Sequence, residues 1–177
     1  MTDNTAVALS VLREAVRNEL DGKAMYLQAA ERTQDELGRS MFRSFAGEEE
    51  QHVHIIQVQY AEVNGSGEWI DIQAARKEPR DPKLILFPQE EREVKEFVPQ
   101  GMSDLDALKL AMDFEKQAVR MYEQAADDTD DPVAQDFYRG LAEWEGTHYR
   151  ILDNSYDYLA NNGEWYFQEL EMPMYEG

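Results

Sequence analysis

Apolar residues recur at intervals of three and four positions in four segments of the chain, the spacing that places them on one face of an α-helix. The pattern predicts helices near residues 5–33, 36–63, 104–128 and 132–161. Asp35, Ser103 and Asp131 precede the last three segments, and their side-chain oxygens suit N-caps. Short turns separate the first helix from the second and the third from the fourth. The sequence therefore predicts two antiparallel helical hairpins.

The two hairpins are copies of one unit. Shifting the sequence by 96 residues places Glu19 on Glu115, Glu49 on Glu145 and His52 on His148, without a gap over about 50 residues. The tripeptide Gly-Glu-Trp recurs at the same shift, at 67–69 and 163–165. A repeat of this length indicates a supersecondary unit that is used twice.

A proline-containing stretch over 64–103 separates hairpin 5–63 from hairpin 104–161 and is long enough to cross the length of a bundle. The prediction is an all-α four-helix bundle with one long crossover, in a single domain over 1–177. The apolar segment Leu84–Phe87 is expected to pack on the bundle as extended chain, with a partner-binding patch as the alternative. The aromatic tail over 162–177 is expected to cover the bundle or a dimer partner.

Several polar residues interrupt the apolar stripes of these helices rather than lying opposite them. They are Glu19, Glu49, His52, Glu115, Glu145 and His148. Each histidine follows its glutamate by three residues and so shares its helix face. Glu48 and Glu50 lie to either side of the stripe, and we expect them in solvent. His54 has no histidine counterpart, since Arg150 occupies the equivalent position, and we expect it at the surface. The sequence thus predicts four carboxylates and two imidazoles inside the bundle.

Buried, unpaired carboxylates would each cost several kcal/mol, and the stripes contain no lysine or arginine to compensate them. Two divalent cations would balance four carboxylates, and this ligand set suits iron or manganese and tolerates zinc. A single Glu-x-x-His pair is usually a surface feature, but two pairs and two lone glutamates in repeat register favour a di-metal site. Tyr26 and Tyr122 also repeat, which fits either core packing or hydrogen bonds to site carboxylates.

Composition removes several functional classes. The net charge of −20 argues against a nucleic-acid partner. The absence of cysteine excludes disulfides, iron–sulfur clusters and a cysteine nucleophile. No apolar run approaches the length of a membrane span, and no signal peptide is recognisable, so we expect a cytoplasmic protein without a membrane partner.

These residues make the chain similar to the rubrerythrin group of the ferritin-like superfamily. The resemblance covers about two thirds of the chain and depends on two doubled motifs, E-x6-Y-x3-A and A-x2-E-x2-H, at Glu19–Ala30, Glu115–Ala126, Ala46–His52 and Ala142–His148. It implies a ferritin-like fold and a non-haem site for two iron ions. By this resemblance Glu49 and Glu145 would bridge the metals, with Glu19 and His52 on one iron and Glu115 and His148 on the other.

The resemblance implies a reaction with hydrogen peroxide or dioxygen, but two departures limit it. Rubrerythrins proper have a further glutamate where this chain has Ala118, and they carry a cysteine-bound iron domain that a cysteine-free chain cannot form. Electrons would come from an external donor protein or from Fe(II). We expect a di-iron oxidoreductase, working as a homodimer. The alternatives are a ferroxidase that handles iron and a non-enzymatic metal-binding bundle.

Overall fold

The computed structural model describes residues 3–80, 86 and 95–165, and these residues form five helices and no strand. The helices are α1 (Asp3–Arg32), α2 (Glu36–Ser66), α3 (Ile72–Lys77), α4 (Asp104–Asp127) and α5 (Pro132–Asn162). The four long helices confirm the predicted ones, with ends that differ by a few residues. No helix in the described ranges is both long and apolar enough to cross a membrane.

The ends of the long helices have a local cause in the sequence. The Asp35 and Asp131 carboxylates accept backbone N–H groups of the first turns of α2 and α5, and the Ser103 hydroxyl does so for α4. These side chains satisfy donors that would otherwise lack a helical partner. Gly67 and Gly163 end α2 and α5 in the left-handed conformation, with φ of 79° and 71°. Both positions favour glycine because it has no Cβ.

The helices pack as the predicted four-helix bundle. α1 packs mainly against α2, and α4 against α5. Between the hairpins, Tyr26 contacts Glu115 and Glu19 contacts Tyr122, so α1 runs antiparallel to α4. The core contains two apolar clusters, represented by Leu12 and Phe137 in one and by Phe42 and Leu108 in the other. A layer of buried polar side chains lies between them along the helices.

The tryptophan of each Gly-Glu-Trp tripeptide packs against a helix of the opposite hairpin. The Trp69 ring packs against Tyr138 of α5 at a centroid distance of 5.3 Å. Its equivalent, Trp165, packs against Phe42 of α2 at 5.8 Å. The Trp165 indole also donates a hydrogen bond of 2.9 Å to Asp104. The start of the aromatic tail therefore covers the bundle, while residues 166–177 lie outside the described ranges.

The crossover contains α3, a helix that the sequence analysis did not predict. Its six residues are too few to show a helical period, but Asp71 caps it by accepting the N–H groups of Gln73 and Ala74. Near the end of the crossover, the Gln28 side chain of α1 accepts hydrogen bonds from the N–H groups of 97 and 98. This anchors the returning chain to α1.

The prediction for the apolar segment 84–87 falls largely outside the described residues. Only Leu86 of this segment is described, and its side chain is partly buried against one of the two apolar clusters. That contact agrees with packing on the bundle for this one residue.

Candidate metal centre

The polar layer brings all six predicted ligand residues together at the centre of the bundle. They form two groups of four that share Glu49 and Glu145, namely Glu19, Glu49, Glu145 and His52, and Glu49, Glu115, Glu145 and His148. Within each group one ligand atom per residue lies within 4.8 Å of all the others. Every member is buried. Each of the four long helices contributes to the layer, so folding of the whole bundle assembles it.

The two shared carboxylates each direct one oxygen to each half of the site. His52 Nδ1 lies 3.3 Å from Glu49 Oε2 and 3.0 Å from Glu145 Oε1. His148 Nδ1 lies 3.2 Å from Glu49 Oε1 and 3.1 Å from Glu145 Oε2. A carboxylate with its oxygens divided in this way is arranged to bridge two cations.

The lone glutamates each belong to one half only. Glu19 Oε2 lies 3.2 Å from His52 Nδ1, and Glu115 Oε1 lies 3.5 Å from His148 Nδ1. Each half therefore has one terminal carboxylate and one imidazole in addition to the two shared carboxylates. Both histidines direct Nδ1 towards the carboxylates, so Nδ1 is the nitrogen available to a metal.

The hydrogen bonding of the layer is incomplete in the way that a cation site requires. Both carboxylate oxygens of Glu145 and Nδ1 of His148 are buried, yet among the described residues they have no partner in hydrogen-bonding geometry. Buried polar atoms are normally paired. Unpaired atoms that converge within about 3 Å of one another leave room for metal coordination instead. The oxygen and imidazole donors fit two iron ions.

Two tyrosines hold the terminal carboxylates from across the bundle. The Tyr26 phenol donates to Glu115 Oε1, and the Tyr122 phenol donates to Glu19 Oε1. Both rings are completely buried. Each hairpin thus orients the terminal carboxylate of the other, which is the hydrogen-bonding interpretation left open by the sequence. The other oxygen of Glu19 stays directed at His52.

In the metal-free protein, bound protons offset part of the negative charge of this layer. Burial, followed by the negative charge of Glu145, raises the pKa of Glu115 to about 8. The same two causes raise the pKa of Glu19 well above its usual value. Burial alone would lower the histidine pKa values, but the charge of Glu145 raises the pKa of His52, and the nearby carboxylates of Glu115 and Glu145 raise the pKa of His148.

The prediction that Glu48 is solvated is wrong. Its side chain is buried, and its Oε2 lies 2.9 Å from His148 Nε2, the nitrogen that faces away from the metal site. The reason is that α2 contacts α5 as well as α1, so its buried arc is wider than a single stripe. Glu48 follows Phe45 by three residues and precedes His52 by four, which places it in that arc.

The other two residues expected in solvent lie towards the surface. The Glu50 side chain is 45% exposed and forms ion pairs with Lys23 at 2.8 Å and Arg80 at 3.0 Å. The His54 side chain is half-buried, with Nε2 2.9 Å from the backbone carbonyl oxygen of Glu78. His54 is therefore not part of the layer of candidate metal ligands.

Trp144 is a site residue that sequence reasoning missed. Its ring stacks on the His52 imidazole with a centroid distance of 5.0 Å and an interplanar angle of 14°. The 96-residue shift places Glu48 on Trp144. Aligning the two repeats could have identified Glu48 and Trp144 together. These two positions are equivalent and flank the site, yet they carry different residues.

A four-helix bundle around a buried carboxylate–histidine layer defines the ferritin-like class of proteins. The sequence model of the Rubrerythrin family matches residues 10–156, and the chain belongs to that family. Among solved structures, a hypothetical protein from Pyrococcus furiosus is similar with a TM-score of 0.66 and 21% sequence identity, over 90% of this chain and 93% of the other. That likeness supports the fold. Comparison with curated proteins gives no significant match.

Proposed function

We propose that this chain is a di-iron carboxylate oxidoreductase that reacts with hydrogen peroxide or dioxygen. The observation that carries the proposal is the sharing of Glu49 and Glu145 between two buried ligand groups, since this arrangement would hold two cations next to each other. Two ferrous ions bound there would supply the electrons for reduction of the oxidant.

The protein's own contribution would be ligand placement and exclusion of water. Glu49 and Glu145 would bridge the pair, Glu19 and His52 would complete one half, and Glu115 and His148 the other. The two phenols restrain the terminal carboxylates through their hydrogen bonds. The apolar clusters on either side of the polar layer keep bulk water away from it. Preorganised ligands of this kind reduce the rearrangement that the reaction requires.

Ferroxidation is the second candidate, and two sequence features favour it. The 177 residues contain no cysteine, so they hold no cysteine-bound iron that could pass electrons to the site. Position 118, where rubrerythrins proper have a further carboxylate, is a buried alanine. Both features weaken the case for a dedicated peroxidase and leave Fe(II) as a substrate.

Stopped-flow oxidation of the anaerobically Fe(II)-loaded protein separates the candidates. A faster reaction with peroxide than with dioxygen, ending at two irons per chain, would support the peroxide-reducing function. A faster reaction with dioxygen that continues beyond two irons per chain would support ferroxidation. Oxidation by neither reagent would contradict both.

Matched variants connect the reaction to the site. Glu145→Ala removes a shared carboxylate, whereas Glu143→Ala removes an exposed one two positions earlier on the same helix. We expect the first variant to abolish fast oxidation and the second to retain it.

A further inference from the structure

The two halves of the polar layer have the same ligands but different surroundings. Glu48 of α2 and Trp144 of α5 occupy equivalent repeat positions. Each contacts the histidine of the opposite hairpin, Glu48 with His148 and Trp144 with His52. The pseudo-symmetry of the bundle is therefore broken directly behind the two histidines.

On one side the histidine is held by a buried carboxylate. Nε2 of His148 lies 2.9 Å from Glu48 Oε2, and both side chains are buried. When Nδ1 binds a metal, Nε2 carries the ring proton and donates a hydrogen bond to Glu48. The ring is also stacked on Phe45 at a centroid distance of 4.8 Å. Hydrogen bond and stacking together fix both the orientation and the tautomer of His148.

On the other side the histidine has no such support. Nε2 of His52 is buried and has no hydrogen-bond partner among the described residues. The face of its ring is covered by Trp144, an aromatic ring that cannot accept the Nε2 proton in the ring plane. Binding a metal through Nδ1 therefore leaves a buried N–H group unsatisfied in this half.

We propose that Glu48 is a positioning residue that makes the two metal positions unequal, so that the His148 half binds a divalent cation more tightly and fills first. A carboxylate behind a ligating histidine fixes its tautomer and strengthens its bond to the metal, and loss of such a partner typically costs about 10–100-fold in metal affinity. The proposal depends on the proposed function only in requiring that the layer binds two metal ions.

Anaerobic titration with Zn(II) against a chromophoric chelator tests this without any redox reaction. We expect wild-type protein to bind two zinc ions with unequal affinities. Glu48→Leu keeps the bulk of the side chain but removes the acceptor, and should weaken the tighter step about 10–100-fold while leaving the weaker step unchanged. Glu48→Gln keeps an acceptor oxygen and should restore the tighter step.

The control is Glu50→Leu, which removes the same formal charge from a half-exposed position two residues further along α2. It should leave both steps close to wild type. Equal affinities in wild-type protein would overturn the proposal, as would a Glu48→Leu variant that weakens both steps alike or a Glu48→Gln variant no better than Glu48→Leu.

A measurement on the wild-type protein covers the case in which Glu48→Leu fails to fold. With one equivalent of Zn(II), 15N NMR of labelled histidine should show metal binding at Nδ1 of His148 and not of His52. Equal occupancy of both rings would overturn the proposal. Failure of wild-type protein to bind zinc at all would instead contradict the proposed function, so the two failures are distinguishable.

Discussion

Three consecutive glutamates of α2 have three different environments. Glu49 faces the bundle axis between the two halves of the site, Glu48 lies behind His148, and Glu50 forms ion pairs at the surface. Successive helical residues are rotated by about 100°, so neighbours of the same type need not share a role. Register rather than residue type decides which carboxylate is available to a metal.

Glu49→Ala should lose most bound iron, because one substitution removes an oxygen from both halves of the site. Glu50→Ala should keep its iron, because the side chain is half-exposed and its surface ion pairs contribute little. The measurement is iron per chain after anaerobic loading and removal of unbound metal. Equal iron content in the two variants would contradict the ligand register.

Tyr122→Phe should lower the free energy of unfolding of the metal-free protein by about 1–3 kcal/mol, because the buried Glu19 loses its phenol donor. Tyr138→Phe is the matched control. Its ring is buried too, but its hydroxyl has no hydrogen-bond partner among the described residues. Removing that hydroxyl should be neutral or stabilising. Urea unfolding followed by circular dichroism measures both, and equal losses would contradict a specific role for the Tyr122 hydrogen bond.

At the scale of elements, α2 contains two glycines that should respond to the same substitution with opposite signs. A Cβ on Gly38 would lie 2.7 Å from the Trp165 ring and 2.8 Å from the Thr33 side chain, whereas a Cβ on Gly47 would meet nothing within 4 Å. Gly38→Ala should therefore destabilise the protein by about 1–3 kcal/mol through overpacking. Gly47→Ala should stabilise it by about 0.5–1 kcal/mol through helix propensity.

Thermal and urea unfolding of the two glycine variants give the comparison. If Gly38→Ala were as stable as Gly47→Ala, the close approach of the tail residue Trp165 to the start of α2 would be wrong. A loss of stability confined to Gly38→Ala would support the packing of the tryptophan of one hairpin against the other hairpin.

The long helices and the six inward polar residues could be predicted from sequence because each follows from a local signal. Caps such as Asp131 mark the helix starts, and the doubled stripe identifies Glu49 and His52 as inward. The role of Glu48 could not be predicted from a single stripe, because it depends on which face of α2 meets α5. Likewise α3 is too short to show a period, and its position depends on packing against the bundle.

At the scale of the whole molecule, both the interior and the surface carry an excess of negative charge. The chain carries a net charge of −20, and four of its carboxylates meet in one buried layer. In the metal-free protein, protons on the histidines and on Glu19 and Glu115 offset this charge. Metal ions bound in this layer would therefore compete with protons for the same atoms, since ligation requires neutral imidazoles and ionised carboxylates.

This competition predicts the direction of the pH dependence of metal binding. Groups whose pKa is raised stay protonated up to the raised value, so they must release protons when a metal binds. Because the pKa of Glu115 is about 8, zinc affinity should rise as the pH increases through neutrality towards 8. The pKa values of His52, His148 and Glu19 are also raised, and their protons add to the release in the same direction.

Calorimetry of Zn(II) binding at pH 7 in two buffers with different ionisation enthalpies measures the protons released. We expect a net release, together with weaker binding at pH 6 than at pH 8. The Glu50→Ala variant is again the control, because its surface carboxylate lies outside both ligand groups, and it should release the same number of protons as wild type. A binding heat that does not depend on the buffer would mean that the layer is already deprotonated without metal, and that the carboxylates are balanced in some other way.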